Sequence, residues 1–230
     1  MSEENPLWGA PRIQAELGLL GFNVAESTVA KYRIKMRKPP SQTWKTFLSN
    51  HAHDIAGIDF FTIPTATLRN LYCFVVLLHS RRQIIHFNIT AHPTASWTAQ
   101  QMSEAFPQDT APRFLLRDRD AIYGSEFRNR VKAMQIEELI TAPHSPRQNP
   151  STERLIGSIG REWLAHLLVF SEEHLRNILK SYVSYYHNTL PHEALEKNSL
   201  NPRTIESARR GLIVSIPEVG GLHHRYQCAV

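Results

Sequence analysis

The feature that most restricts the fold is a block of three apolar runs crowded into residues 54–90. They are 54–63 (DIAGIDFFTI), 71–78 (LYCFVVLL) and 84–90 (IIHFNIT), each rich in β-branched and aromatic residues. Runs of this length and composition read as strands. The connection Ser80-Arg81-Arg82-Gln83 is short and polar, so the last two pair antiparallel. Beyond them helix-like and strand-like segments alternate: a helix at 96–106, a strand at 113–117, a helix at 125–134 and a strand at 137–141. Helices at 150–168 and 172–187 close the block. A meander followed by alternating helices and strands predicts an α/β fold, a mixed five-stranded sheet covered by helices on both faces. The tail, 191–230, offers little beyond a strand at 212–216.

Upstream the periodicity is helical. Ile13, Leu17 and Leu20 recur at helical spacing, and Gly21 is suited to end that helix in the left-handed conformation. A second helix is expected over 26–36, with Val29, Tyr32 and Met36 on one stripe. Two short helices around a Gly turn, the second one basic, give a small N-terminal helix-turn-helix segment, 1–40. Pro39-Pro40 ends it and opens a basic linker, 41–52. Between Lys31 and Lys45 stand six basic residues (Lys31, Arg33, Lys35, Arg37, Lys38, Lys45) and no acid. A solvated linker explains such a run, and so does a segment that contacts DNA phosphates. The net charge of +5 is compatible with a nucleic-acid partner but does not single one out.

Other classes are excluded more firmly. No apolar run approaches the roughly 20 residues that span a bilayer, and the N-terminus lacks the apolar core of a signal peptide. Two cysteines, Cys73 within an apolar run and Cys228 near the end, argue for reduced thiols, a cytoplasmic location and no Cys-based zinc module.

Three acids stand where acids are costly or well held. Asp59 interrupts the apolar strand Ile55-Ala56-Gly57-Ile58-Asp59-Phe60-Phe61, where an ionised carboxylate needs a cation or another partner. Asp118 and Asp120 follow the apolar segment 113–117 at its C-terminal end, where ligands gather in α/β sheets. Glu153 lies in the first turn of the helix that Pro150 opens and Asn149 can cap. Ile156, Ile159, Trp163 and Leu167 form the expected buried stripe behind it. An Arg-paired strand acid, a solvated Asp-Arg-Asp turn and a favourable helix-dipole charge would explain each acid singly. Two acids on neighbouring strands and a third at a helix start can instead converge on divalent ions. With no His or Cys among them, they favour Mg²⁺ or Mn²⁺ over Zn²⁺.

Three stretches, GIDFFTIPT (57–65), LLRDRDAIYGSEFRNRV (115–131) and TAPHSPRQNPSTERLIGSIGREWLAH (141–166), carry a family resemblance. So do NPLWGAPRIQAEL (5–17) and YHNTLPHEAL (186–195) on either side. Over about residues 50–190 the chain resembles the integrase-core (DDE, retroviral-integrase-like) transposases of bacterial insertion sequences. The resemblance implies an RNase H-like catalytic core, 53–190, with Asp59, Asp118 and Glu153 as catalytic and metal-binding acids, 34 residues (119–152) separating the last two. Asp118 is preferred to Asp120 because Tyr123 then takes the family's aromatic position. It further implies two Mg²⁺ or Mn²⁺ ions, hydrolysis and then strand transfer by a DNA 3′-hydroxyl, and a homo-oligomer on DNA in a bacterial nucleoid.

Gln148, Asn149, Arg154 and Arg161 are the candidate DNA contacts of the core, beside Lys31, Arg33, Lys35, Arg37 and Lys38 upstream. Asn149 serves equally well as a cap. Relatives place a basic residue seven positions after the Glu; here that position is Gly160, and Arg161 follows it. Relatives also carry more DNA-binding sequence upstream, so a truncated product is expected. Two alternatives remain, a catalytically inactive DNA-binding remnant and an RNase H-like nuclease that only hydrolyses.

Overall fold

The computed structural model describes residues 1, 8–33, 43–107, 110–142, 148–195, 197–205 and 211–228, the Ala194 side chain excepted. It divides into two units, Met1–Thr46 and Phe47–Val230.

In the first unit α1 (Ala10–Leu19) and α2 (Glu26–Tyr32) bury Ala10 and Ile13 against Val29, with Trp8, Leu17 and Val24 packed around them. Gly21, at φ +87°, ends α1 as expected. The Gly21 and Phe22 amides donate to Gly18 O (3.0 Å) and Leu17 O (2.8 Å), satisfying carbonyls the helix end leaves open. The second helix ends at Tyr32, and the rest of its predicted run, residues 34–36, lies outside the described residues. Arg33 is already extended (φ −60°, ψ 130°), and its guanidinium donates to Trp8 O at 2.9 Å, drawing the chain off the helix axis. Tyr32, expected on the buried stripe, is exposed.

Helix α3 (Trp44–Asn50) leads into the second unit, where Phe47 and His51 pack edge-on to Phe114. The sheet is five-stranded and mixed, as predicted, in the order β3-β2-β1-β4-β5. Its strands are β1 (Ile55–Pro64), β2 (Asn70–Leu78), β3 (Gln83–Thr90), β4 (Phe114–Arg117) and β5 (Glu137–Ile140). The first three form an antiparallel meander; β4 runs parallel to β1, and β5 parallel to β4.

Alternation along the strands sends side chains to two cores. Ala56, Ile58, Phe74, Val76 and Leu115 join one cluster with Met102, Phe127 and Val131, from α4 (Ala95–Ala105) and α5 (Ser125–Ala133). Ile63, Cys73, Val75 and Leu77 join the other with Leu155, Ile159, Leu175, Leu179 and Tyr182, from α6 (Pro150–Glu162) and α7 (Glu172–Asn188). Period two therefore turns Gly57 and Asp59 to the α6 face.

Helix α6 is shorter than its apolar periodicity predicts. Trp163 leaves helical geometry (φ −142°, ψ −61°), and its fully buried ring stacks on Tyr182 with centroids 5.5 Å apart. A 3₁₀ turn, Leu164–His166, follows. Leu155 rather than Ile156 is buried in the early helix, beside Thr152 and Ile159. The tail is more structured than expected: β6 (Ile213–Glu218) pairs antiparallel with β7 (His223–Cys228) across a left-handed turn at Val219, Gly220 and Gly221. No helix among the described residues is long and apolar enough to cross a membrane.

Candidate metal and DNA site

The parallel pairing of β1 and β4 aligns Ile55 with Phe114, Ala56 with Leu115 and Gly57 with Leu116. Asp59 lies two residues past this pairing on β1, on the α6 face, and Asp118 is the exposed residue that directly follows β4. Glu153 sits in the first turn of α6, and its amide donates to Asn149 O at 3.1 Å. Residues far apart in sequence are thus brought to one end of the sheet by a strand register and a helix start.

The acids act on one another electrostatically. Burial pushes the Asp59 carboxyl up to about 7, and the charges of Asp118, Glu153 and Asp120, in that order, add to the rise. Among the described residues the only opposing influence is the Phe60 amide, which donates to Asp59 Oδ1 at 2.8 Å. Burial also raises Glu153. Like charges gathered without a balancing side-chain cation are a costly arrangement for the protein by itself. Even so, no three His, Cys, Asp or Glu side chains among the described residues close into a ready ion cage.

The two Asp candidates of the turn make the same kind of bond. Asp118 Oδ1 accepts from the Asp120 amide (3.1 Å) and Asp120 Oδ1 from the Ile122 amide (2.9 Å), so bonding does not choose between them. Arg117 is buried and pairs with Glu138 on β5. Its Nη1 donates to Asp118 O at 2.8 Å, and its guanidinium lies over Tyr123 at 5.1 Å. Tyr123, the aromatic that favoured Asp118, is itself buried, and burial first, then the charges of Asp59, Asp118 and Asp120, hold its phenol protonated.

The candidate DNA contacts are scattered by comparison. Arg154 and Arg161 are exposed on α6. Arg161 lies back along its helix, where Gly157 leaves room: a Cβ there would stand 3.1 Å from Arg161 Nη1. At Gly160 a Cβ would meet nothing within 4 Å, so packing does not demand that glycine. Gln148 Oε1 accepts from the Ala142 amide at 2.6 Å. Asn149 is buried and, contrary to its expected cap, bonds no helix amide with its side chain. Its Nδ2 reaches Ile58 O at 3.4 Å instead. Lys31 is exposed in the first unit, Arg33 is held by Trp8 O, and Lys35, Arg37 and Lys38 lie outside the described residues.

His79, which the sequence did not single out, packs against this end of the sheet. Its amide donates to Ile55 O at 3.0 Å, and burial pushes its imidazolium down to about 4. Gly57 and Thr152 were missed as well. A glycine inside an apolar strand is the one available signal, because it marks a close approach.

A mixed five-stranded sheet of this order, flanked by helices and bearing acids on β1, after β4 and at the start of α6, is the RNase H-like integrase catalytic fold. Residues 134–199, which include Glu153, match the family described as an integrase core domain. Among solved structures, the catalytic domain of Mos1 mariner transposase superposes with a TM-score of 0.52 at 18% identity, covering 66% of this chain and 85% of that one. The same domain solved with Raltegravir and Mg gives the same score and identity, over 64% and 85%. A chain of the simian T-cell lymphotropic virus intasome, solved with PP2A regulatory subunit B56 gamma, gives 0.50 at 13% identity, covering 98% and 85%. No curated protein matches the sequence significantly.

Proposed function

We propose that the chain is a DNA strand transferase of the transposase/integrase kind, with Asp59, Asp118 and Glu153 as its catalytic acids. What supports this reading is an integrase-type sheet with Asp59 partly buried in it, its carboxyl raised to about 7 by burial and by the charges of Asp118 and Glu153, with no side-chain cation opposing that rise among the described residues.

The donor set fits one or two Mg²⁺ or Mn²⁺ ions: hard oxygens only, on rigid elements, in a group that gains from a cation. Mos1 relatives solved with Mg and with Mn support that choice. When bound, such ions stabilise charge on the attacking and leaving oxygens of a phosphodiester displacement. The protein's part is to hold its carboxylates ionised and in place. Asp59 on the strand and Glu153 on the first helical turn have little freedom, and Arg117 ties the Asp118 carbonyl to the β4–β5 edge. The mechanism requires no nucleophilic Ser or Tyr.

Arg154, Arg161 and Gln148 are assigned to the DNA end, Asn149 being buried against Ile58 O and so set aside, and the basic segment from Lys31 through Arg33, Lys35, Arg37 and Lys38 to the flanking duplex. Phosphate contacts of this kind give salt-dependent, sequence-independent affinity. Acting on two ends calls for more than one copy on the DNA, in keeping with the intasome chain of similar fold; a location on the bacterial nucleoid is part of the same proposal.

The test is cation-dependent nicking and joining of DNA that carries the sequences flanking the gene, comparing wild type with Glu153→Gln. Joined product with Mn²⁺ that disappears in the variant is the expected result. Binding without cleavage, equal in both proteins, would leave only a DNA-binding remnant. Nicking that never proceeds to joining would point to the hydrolytic nuclease.

A further inference from the structure

Three polar atoms from two separate parts of the chain meet over Gly57. A Cβ built on that residue would come within 3.0 Å of Thr152 Oγ1, His79 Nε2 and Asn149 Oδ1 together. Thr152 and Asn149 belong to the start of α6, and His79 follows β2. All three atoms are buried, and none makes a well-formed hydrogen bond among the described residues, although the His79 and Asn149 side chains already interact. Leaving a buried polar atom unpaired is costly, so three in one place need an explanation.

The neighbouring bonds supply one. The His79 amide is tied to Ile55 O at the start of β1, which fixes the imidazole over the strand. Asn149 Nδ2 points to Ile58 O, between Gly57 and Asp59, so its Oδ1 is turned toward His79. Thr152 is fully buried and adjoins Glu153. A donor on His79, an acceptor on Asn149 and a hydroxyl that is both can close into one network over a strand position that has no side chain. The network joins the strand that carries Asp59 to the helical turn that carries Glu153.

We propose that His79, Asn149 and Thr152, meeting over Gly57, are positioning residues: a polar latch that sets the first turn of α6, and so Glu153, against Asp59. This deepens the strand-transfer reading and rests on it for its functional consequence, though the latch itself does not. Gly57 is required because any side chain there would occupy the meeting point. A displacement of about 1 Å in a reacting group can lower a rate on the order of a hundredfold, so a latch at this joint acts on turnover rather than on DNA affinity.

The test uses the full chain and three variants, Thr152→Val, Thr152→Ser and Gly57→Ala. Thr152→Val keeps the side-chain volume and removes only the hydroxyl. It is expected to speed amide hydrogen exchange in the first turn of α6 while leaving the strands protected. In joining assays it should lower kcat about tenfold or more with KM for the DNA end within about twofold of wild type. Thr152→Ser should restore both readouts, and Gly57→Ala should reproduce the Val phenotype. Wild-type exchange in Thr152→Val, or equal impairment of the Val and Ser variants, would overturn the latch. A wild-type protein that never joins DNA would sink the strand-transfer reading, while the exchange comparison would still decide for or against the latch.

Discussion

Asp59 is the residue on which stability and function pull in opposite directions. Its carboxyl titrates near 7 in the folded chain against 3.8 as the ordinary value, so the folded state resists its ionisation. The sign follows from proton binding: between about pH 4 and 7 the native state holds a proton that the unfolded chain has lost. The Asp59 contribution is therefore most favourable at acid pH, is lost as pH rises to about 7, and changes little above it. At roughly 1.4 kcal/mol for each pH unit crossed in that window, the loss is on the order of a few kcal/mol. Asp59→Asn should remove that slope. In chelator at pH 8, urea denaturation should find the variant more stable than wild type, and at pH 5 the advantage should shrink. Added Mn²⁺ should stabilise wild type and not the variant; a variant less stable than wild type at pH 8 would contradict this account. Each acid alone has an ordinary explanation, and Asp59, Asp118 and Glu153 could be proposed from the sequence because their order and spacing resemble a known family. The company of Gly57, His79 and Thr152 could not, since a strand, the end of another strand and a helix start meet there only through the tertiary fold. Asn149 shows the same limit: the sequence admits a cap, and burial against Ile58 decides otherwise.

At the scale of elements, Trp163 is the joint between α6 and the chain that follows. Its ring continues the apolar periodicity of the helix, which is why a helix to residue 168 is the natural reading. The backbone turns out of helical geometry so that the ring can stack on Tyr182. Trp163→Ala should cost about 3–5 kcal/mol, because a fully buried ring leaves a cavity that neighbouring helices fill poorly. A drop in the urea midpoint with an unchanged slope would show this, and a loss below about 1 kcal/mol would mean that the stack with Tyr182 is not holding the joint. The five sheet strands were legible because their alternation serves two buried faces. Strand β7 was not: His223-His224-Arg225-Tyr226-Gln227-Cys228 has no apolar alternation, as its hairpin has no core to face. The basic helix shortens at Arg33 for a similarly nonlocal reason, a bond to the carbonyl of Trp8.

For the whole molecule, the sheet is an integrase-type catalytic fold with Asp59 partly buried in it, and strand transfer is the activity proposed for it. The fold class could be read from the order of strands and helices, whereas the choice of acids rests on a family resemblance. That Asp59 is partly buried beside other acids, with no side-chain cation opposing its rise among the described residues, emerges only from the assembled structure. The most direct measurement supplies a short duplex with a free 3′-hydroxyl, a supercoiled plasmid and Mn²⁺, and follows covalent capture of the duplex by the plasmid. The account predicts joined product with wild-type protein, and none with a 3′-deoxy end, with chelator or with Asp59→Asn. Joined product that forms without the 3′-hydroxyl, or persists unchanged in Asp59→Asn, would contradict it.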